Sequence, residues 1–179
     1  MIYRFRNIEP KYGKDTYVSE HALLIGDVRI GDNCYIGHGA ILRGDYGIIE
    51  IGDGTAVEEG VIIHAPPNEV CRIGKEVTIG HGAIIHSKSI GDYAVIGMGA
   101  VLSLFAEVGE ETIIAEGSIV KMWQVIPAKV VASGSPARVL KDVTEENTRL
   151  WSYGKQLYIN LAKEYIRNGM KRVDSPPGL

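Results

Sequence analysis

Aliphatic residues recur at every sixth position along most of this chain. Val18, Leu24, Ile30, Ile36, Leu42 and Ile48 form a first run, Ile51, Val57 and Ile63 a second, and Ile73, Ile79 and Ile85 a third. The spacing shortens by one to Ile90, then continues through Ile96, Leu102, Val108, Ile114, Val120 and Ile126. Two positions ahead of these residues the side chain is usually small, as at Ala22, Val28, Cys34, Ala40, Thr55, Val61, Cys71, Val77, Ala83, Ala94, Ala100 and Thr112. Glycine often follows directly, as at Gly31, Gly37, Gly52, Gly74, Gly80, Gly91, Gly97 and Gly109. A hexapeptide period predicts an all-β solenoid, a parallel β-helix. Three hexapeptides make one triangular coil. The aliphatic residue points inward and fills the prism, and glycine permits a tight bend or a close backbone approach at the turn.

The interruptions organise the chain. Residues 1–16 read as an N-terminal lead, a strand or cap, and residues 17–140 as the prism. Asp45 to Glu50 adds three residues to the register. His64 to Arg72 adds four and contains Pro66, Pro67 and Asn68, which marks a surface loop. Ser133-Gly134-Ser135-Pro136-Ala137 is a turn-forming cluster that closes the prism. Residues 141–170 read as a C-terminal helix. Thr144 is its expected N-cap, with Glu145 and Glu146 in the first turn where the dipole favours negative charge. Leu150, Leu157, Leu161 and Tyr165 give an apolar stripe, with Trp151, Tyr158 and Ala162 beside it, and Asn168-Gly169 is the expected stop. The apolar face requires cover, and the side of a prism, its own or a neighbour's, supplies it. Residues 171–179, with Pro176 and Pro177, read as a frayed tail.

Composition narrows the partners. A formal net charge of -3 gives no electrostatic reason for binding nucleic acid or an anionic membrane. No apolar stretch is long enough to span a bilayer, and the region around Arg4, Arg6, Glu9 and Lys11 lacks the apolar core of a signal peptide, so the expectation is a cytoplasmic protein. Cys34 and Cys71 both occupy the small inward position and read as buried free thiols rather than a disulfide or metal pair.

The chemistry lies in the phase of the polar residues. Arg43, His64 and His86 each directly follow an aliphatic corner, at Leu42, Ile63 and Ile85. Once the inserted residues are removed, successive members are separated by 18, which is one coil. The three should therefore stack on one edge, with imidazoles about 4.8 Å apart. Two imidazoles at that spacing can share a zinc ion at about 2.0–2.1 Å each. His81 has another phase. It falls on a line with Glu59 and His38, one face earlier, and cannot easily reach an ion held by His64 and His86 of its own chain. A neighbouring copy would supply it, which predicts a metal at a subunit interface of a three-fold ring. Three nitrogen ligands leave a fourth position for water, as in catalytic zinc sites. His21 and His38 read as ordinary solvated residues. Arg43 and Asp45 read as an interface pair that orders the site, or as a plain surface pair. The loop after His64 reads either as a site-lining segment or as a neutral insertion.

The segments Leu42-Arg43-Gly44-Asp45, Gly60-Val61-Ile62-Ile63-His64 and Ile79-Gly80-His81-Gly82-Ala83-Ile84-Ile85-His86 resemble the gamma-class carbonic anhydrase family. Gly134-Ser135-Pro136-Ala137 agrees, although that turn also occurs in hexapeptide acyltransferases. The resemblance implies a left-handed coil, a homotrimer, and a metal held by His64 and His86 of one subunit with His81 of the next. Handedness comes from the resemblance alone. The implied ion is Zn2+, with Fe2+ or Co2+ compatible with the same ligands. The implied reaction is reversible hydration of CO2 to bicarbonate by a metal-bound hydroxide. Arg43, Asp45, Glu58, Glu59, Tyr158 and Asn160 are the implied catalytic residues. Tyr158-Ile159-Asn160 is similar to the Tyr-x-Asn of the archaeal prototype, whose asparagine borders the CO2 and bicarbonate site.

The chain also departs from the family. Ala56-Val57-Glu58-Glu59 stands where its enzymes carry Asn-x-Gln-Asp, Tyr46 stands where the prototype has a further glutamate, and the prototype's acidic loop is absent. A carboxylate at Glu58 only accepts hydrogen bonds, whereas an amide also donates. Two other readings share the prism: an acyl-CoA-dependent transferase with a histidine as general base, and a catalytically silent metal-binding scaffold.

Overall fold

The chain winds into a left-handed parallel β-helix followed by a single helix. The computed structural model describes residues 1–173; the expected tail from Asp174 to Leu179 lies outside the described residues. The coils reproduce the sequence period as three columns of stacked side chains. Leu24, Leu42, Ile63, Ile85, Leu102 and Val120 are partners on successive strands of one face. Ile30, Ile51, Ile73, Ile90, Val108 and Ile126 fill the second. Val18, Ile36, Val57, Ile79, Ile96, Ile114 and Ala132 fill the third. The columns converge on one core, joined by the small residues Ala22, Cys34, Ala40, Val61, Cys71, Val77, Ala83, Ala94 and Ala100. Cys34 and Cys71 are buried and unpaired, and burial pushes their thiols up to about 11 and about 12. They behave as small hydrophobes there.

Glycine after the corner serves close approach. A Cβ added at Gly97 would lie 2.5 Å from the amide nitrogen of Glu116 and 2.7 Å from the carbonyl carbon of Ala115 on the next coil. Positive φ is found elsewhere, at turn positions such as Gly99, Asn33 and Tyr93.

The structure adds detail at four places. In the N-terminal lead, Ile2–Tyr3 and Lys11–Tyr12 add parallel strands to Leu23–Ile30. The first interruption does not leave the sheet. Ile41–Ile51 runs through the corner as one strand, and its extra residues are absorbed by a register shift between Gly26 and Val28. Two faces thereby merge into a 12-stranded sheet, and the third face is an 8-stranded one. The second interruption rejoins the sheet at Val70–Ile73, so the loop itself is shorter than the sequence suggested. At the far end, Val130–Gly134 turns back into an antiparallel strand, Ala137–Asp142.

The helix spans Glu145–Asn168, capped by Thr144 in a capping box with Asn147 and ended by Gly169. It covers its own prism. The face it buries is Trp151, Lys155, Tyr158, Ala162 and Tyr165, while Leu150 and Leu157 stay exposed. Aromatic pairing decides this. Tyr165 stacks on Tyr17 at 4.6 Å, and Tyr158 lies 5.2 Å from Tyr35. Tyr17, Tyr35, Ala56, Thr78, Val95 and Ile113 form the outward column beneath the helix. Among the described residues no helix is long and apolar enough to cross a membrane.

Candidate functional site

Arg43 and His64 are register partners, and the rings of His64 and His86 stack with centroids 4.9 Å apart. The line follows from the corner aliphatics. Leu42, Ile63 and Ile85 point inward, so the residue after each must point outward at the same height on its coil. Both nitrogens of His64 are engaged. Arg43 donates from Nη2 to Nδ1 at 3.2 Å, and Nε2 lies 3.2 Å from Asp45 Oδ1. Since arginine only donates, Nδ1 accepts and the proton sits on Nε2, facing the carboxylate. Arg43 also approaches Asp45 at 3.6 Å, which closes a triangle around the imidazole. Tyr46 meets the His64 ring edge-on at 6.2 Å.

His86 differs. Its Nε2 is buried without a hydrogen-bond partner. Burial holds its imidazole below the usual histidine range, and the charges of His64 and Arg43 act in the same direction. His86 offers an unshared lone pair, and the imidazole stacked on it would join it in a donor set suited to a divalent ion by exchanging one of its two hydrogen bonds for the metal.

His81 lies on the adjoining edge. Its Nδ1 is 2.9 Å from Glu59 Oε2, and its Nε2 is 3.1 Å from Glu58 Oε2. Tyr35 donates to the other Glu59 oxygen at 2.6 Å. A carboxylate fixed by one donor and fixing one imidazole nitrogen is the usual brace of a metal-ligating histidine. Burial pushes Glu59 up, but the Tyr35 hydrogen bond and the neighbouring histidines outweigh it, so its carboxyl lies below the ordinary range. Glu58 is buried, accepts the His81 amide at 3.1 Å and hydrogen-bonds Tyr158; burial raises its carboxyl above the ordinary value. Within one chain, no three His, Cys, Asp or Glu side chains among the described residues converge on a metal position.

Two sequence expectations sit differently here. Asn160 is exposed and accepts from Gln156 at 3.0 Å along the helix, so it is not gathered with Tyr158 and Glu58. His38 is not a free surface residue, because its ring bonds Ser19 at 2.6 Å and Tyr165 at 3.4 Å; His21 is exposed, beside Glu20. Sequence reasoning passed over Tyr35, the residue that braces Glu59. Its one available signal was an outward phase shared with Tyr17. It also passed over Ala56 as a packing residue. Ala56 is buried against Tyr35 and Ala162, which leaves no room for a longer side chain under the helix. Placing asparagine at Ala56 is therefore expected to cost about 1–3 kcal/mol, read as a lowered denaturation midpoint.

The comparisons agree with the coil architecture. The family described as hexapeptide repeat of succinyl-transferase matches residues 27–65 and 70–103. The chain is 35% identical over 171 residues to mitochondrial gamma carbonic anhydrase 2 of Arabidopsis thaliana, covering 92% of itself and 62% of that protein. It thus spans less than two thirds of that relative's length. It is 38% identical over 160 residues to the carnitine operon protein CaiE of Salmonella agona, covering 89% of itself and 81% of CaiE. A crystal structure of a hexapeptide transferase family protein from Anaplasma phagocytophilum superposes with a TM-score of 0.87 at 32% identity, over 92% of this chain and 97% of that one. Repeat, coil geometry and relatives together make the chain a member of the hexapeptide-repeat family that includes the gamma carbonic anhydrases and CaiE.

Proposed function

We propose that this protein is a gamma carbonic anhydrase-like metalloprotein: a homotrimer in which His64 and His86 of one subunit and His81 of the next hold a divalent ion, with zinc the first choice, and CO2 and bicarbonate interconvert there. The observation that carries this reading is the stacked His64–His86 pair with the buried, partnerless Nε2 of His86. Assembly is supported by an outward aliphatic column beside the histidines. Leu23, Ile41, Ile62, Ile84, Val101 and Ile119 are successive partners on that face. Ile62, Ile84 and Ile119 are 40%, 44% and 37% exposed, a cost that a second copy of the same chain would remove.

When bound, the metal supplies Lewis acidity, which lowers the pKa of water towards about 7. The chain's own residues do the rest. Arg43 and Asp45 fix the tilt of the His64 ring. Tyr35 and Glu59 fix His81. Glu58, anchored by the His81 amide and Tyr158, would orient a substrate or water oxygen. Hydration consumes one water and one CO2 and releases bicarbonate and one proton.

The test combines zinc analysis and solution mass with stopped-flow CO2 hydration. One zinc per subunit, a trimeric mass and zinc-dependent hydration support the reading; a monomer or a metal-free active protein overturns it. Glu58→Gln is expected to raise hydration at least about tenfold, because an amide adds a donor and removes a negative charge from the site. No gain, with zinc retained, favours the silent scaffold. The likeness to a hexapeptide transferase family protein supports acyl transfer as the second reading. Acetyl-CoA turnover would identify it.

A further inference from the structure

Lys155 is a charged residue held in the seam between helix and prism, and it is not among the candidate metal ligands. Its side chain is buried between helix and prism, with Nζ 3.4 Å from Thr78 Oγ1 and 3.3 Å from the Ala94 carbonyl. Both are long for hydrogen bonds of an ammonium group. Among the described residues it forms no ion pair, and Glu76 acts on it only at a distance. Burial lowers its pKa to about 8, so the protonated form is held at a cost that an adjacent anion would remove. The same lysine lines a cleft of about 260 Å³ between helix and prism, walled by Tyr93, Val95, Ile113, Val143 and Trp151. That volume is slightly under the roughly 300 Å³ lower end of ordinary small-molecule pockets, which restricts an occupant to a short chain or one ring. Glu111 also borders the cleft, but Lys129 pairs with it at 3.3 Å, so its charge is partly offset. A doubly charged phosphate would be opposed more strongly by Glu111 at the cleft than a single carboxylate, which needs one cation.

We propose that this cleft is a binding site for a small monocarboxylate with a short apolar body, its carboxylate against Lys155 and its body between Trp151, Val95 and Ile113. The site is separate from the histidines and does not rest on their metal chemistry.

The chain has two tryptophans, Trp123 and Trp151, so W123F leaves Trp151 as the only indole reporter while an aromatic ring still stacks on Phe105. In that background, titration of the full-length protein with hexanoate should change Trp151 emission saturably. Hexanol, the same chain without the charge, should bind at least about tenfold more weakly. K155M keeps the buried stem and should remove the preference for hexanoate. V95F narrows the cleft while retaining Lys155, and should weaken both ligands. Failure of hexanoate to saturate, equal affinity for hexanoate and hexanol, or a preference that persists in K155M would overturn the proposal. Should K155M fail to fold, the hexanoate–hexanol comparison and V95F still decide it.

Discussion

Replacing His86 by alanine should strip the ion from the assembled protein. The substitution removes the imidazole whose Nε2 is buried and unshared, and leaves His64 with no stacked partner. Loss of a group that merely braces a ligand costs about 10–100-fold in metal affinity, so loss of the ligand itself should exceed about 100-fold. Zinc retained after dialysis should fall to near zero, and CO2 hydration should fall to the uncatalysed background. The coil should persist, because His86 points outward and Ile85 fills the core behind it. Circular dichroism and solution mass check that point. His21→Ala is the control: an exposed imidazole beside Glu20 should change neither zinc content nor rate. Full zinc occupancy in the His86 variant would remove the basis of the metal reading.

Ile85→Ala should produce the largest loss of stability. Ile85 is fully buried and stacked between Ile63 and Leu102 on the neighbouring coils. Truncating such a side chain costs about 2–5 kcal/mol, depending on how far the surroundings collapse. Collapse is restricted here. The backbone ladders on all three faces fix coil spacing, and glycines such as Gly97 already bring adjacent backbones as close as they can come. The upper half of that range is therefore expected. Chemical denaturation of metal-free protein gives the value without the added stability that a bound ion contributes. A change under about 1 kcal/mol would mean that the prism yields far more readily than its packing indicates.

The core was legible because each coil repeats one local rule. A residue's phase modulo six fixes whether it points in or out, and the sizes of the two interruptions could be subtracted. That is why Arg43, His64 and His86 line up as the spacing predicts, and why the run from Val18 to Ile126 falls into three columns except at Ile48, which is half-buried while Ile49 turns inward. The helix start and stop were legible for a similar reason, since Thr144 and Gly169 act on their own neighbours. The buried face of the helix was legible in part: Trp151, Tyr158, Ala162 and Tyr165 are among the apolar residues the sequence marks, whereas Leu150 and Leu157 stay exposed and Lys155 is buried. Leu150 and Leu157 are the more hydrophobic residues, but Tyr17 and Tyr35 on the prism select Tyr158 and Tyr165 through ring stacking, which no pattern within residues 145–168 records. The hydrogen bonds of His38 and the brace from Tyr35 to Glu59 were hidden likewise, because each joins residues on different coils or elements. His81, the proposed third ligand, was legible only as a phase one face away from His64 and His86, and the chain by itself does not bring the three together among the described residues.

The antiparallel strand at the end of the prism has a consequence for polymerisation. A parallel coil that simply stopped at Val130–Gly134 would present an open row of amides and carbonyls, a template onto which the first coil of another molecule could add. Repeated addition would give a fibre with no natural length. The return strand Ala137–Asp142 occupies that row, and its outer edge carries Arg138, Lys141 and Asp142, whose charges disfavour further pairing. At the opposite end, Ile2–Tyr3 and Lys11–Tyr12 cover part of the first coil. The stacking rule is thereby closed on one face, whereas Ile119–Val120 and Val125–Ile126 end the other two with no further described strand beyond them.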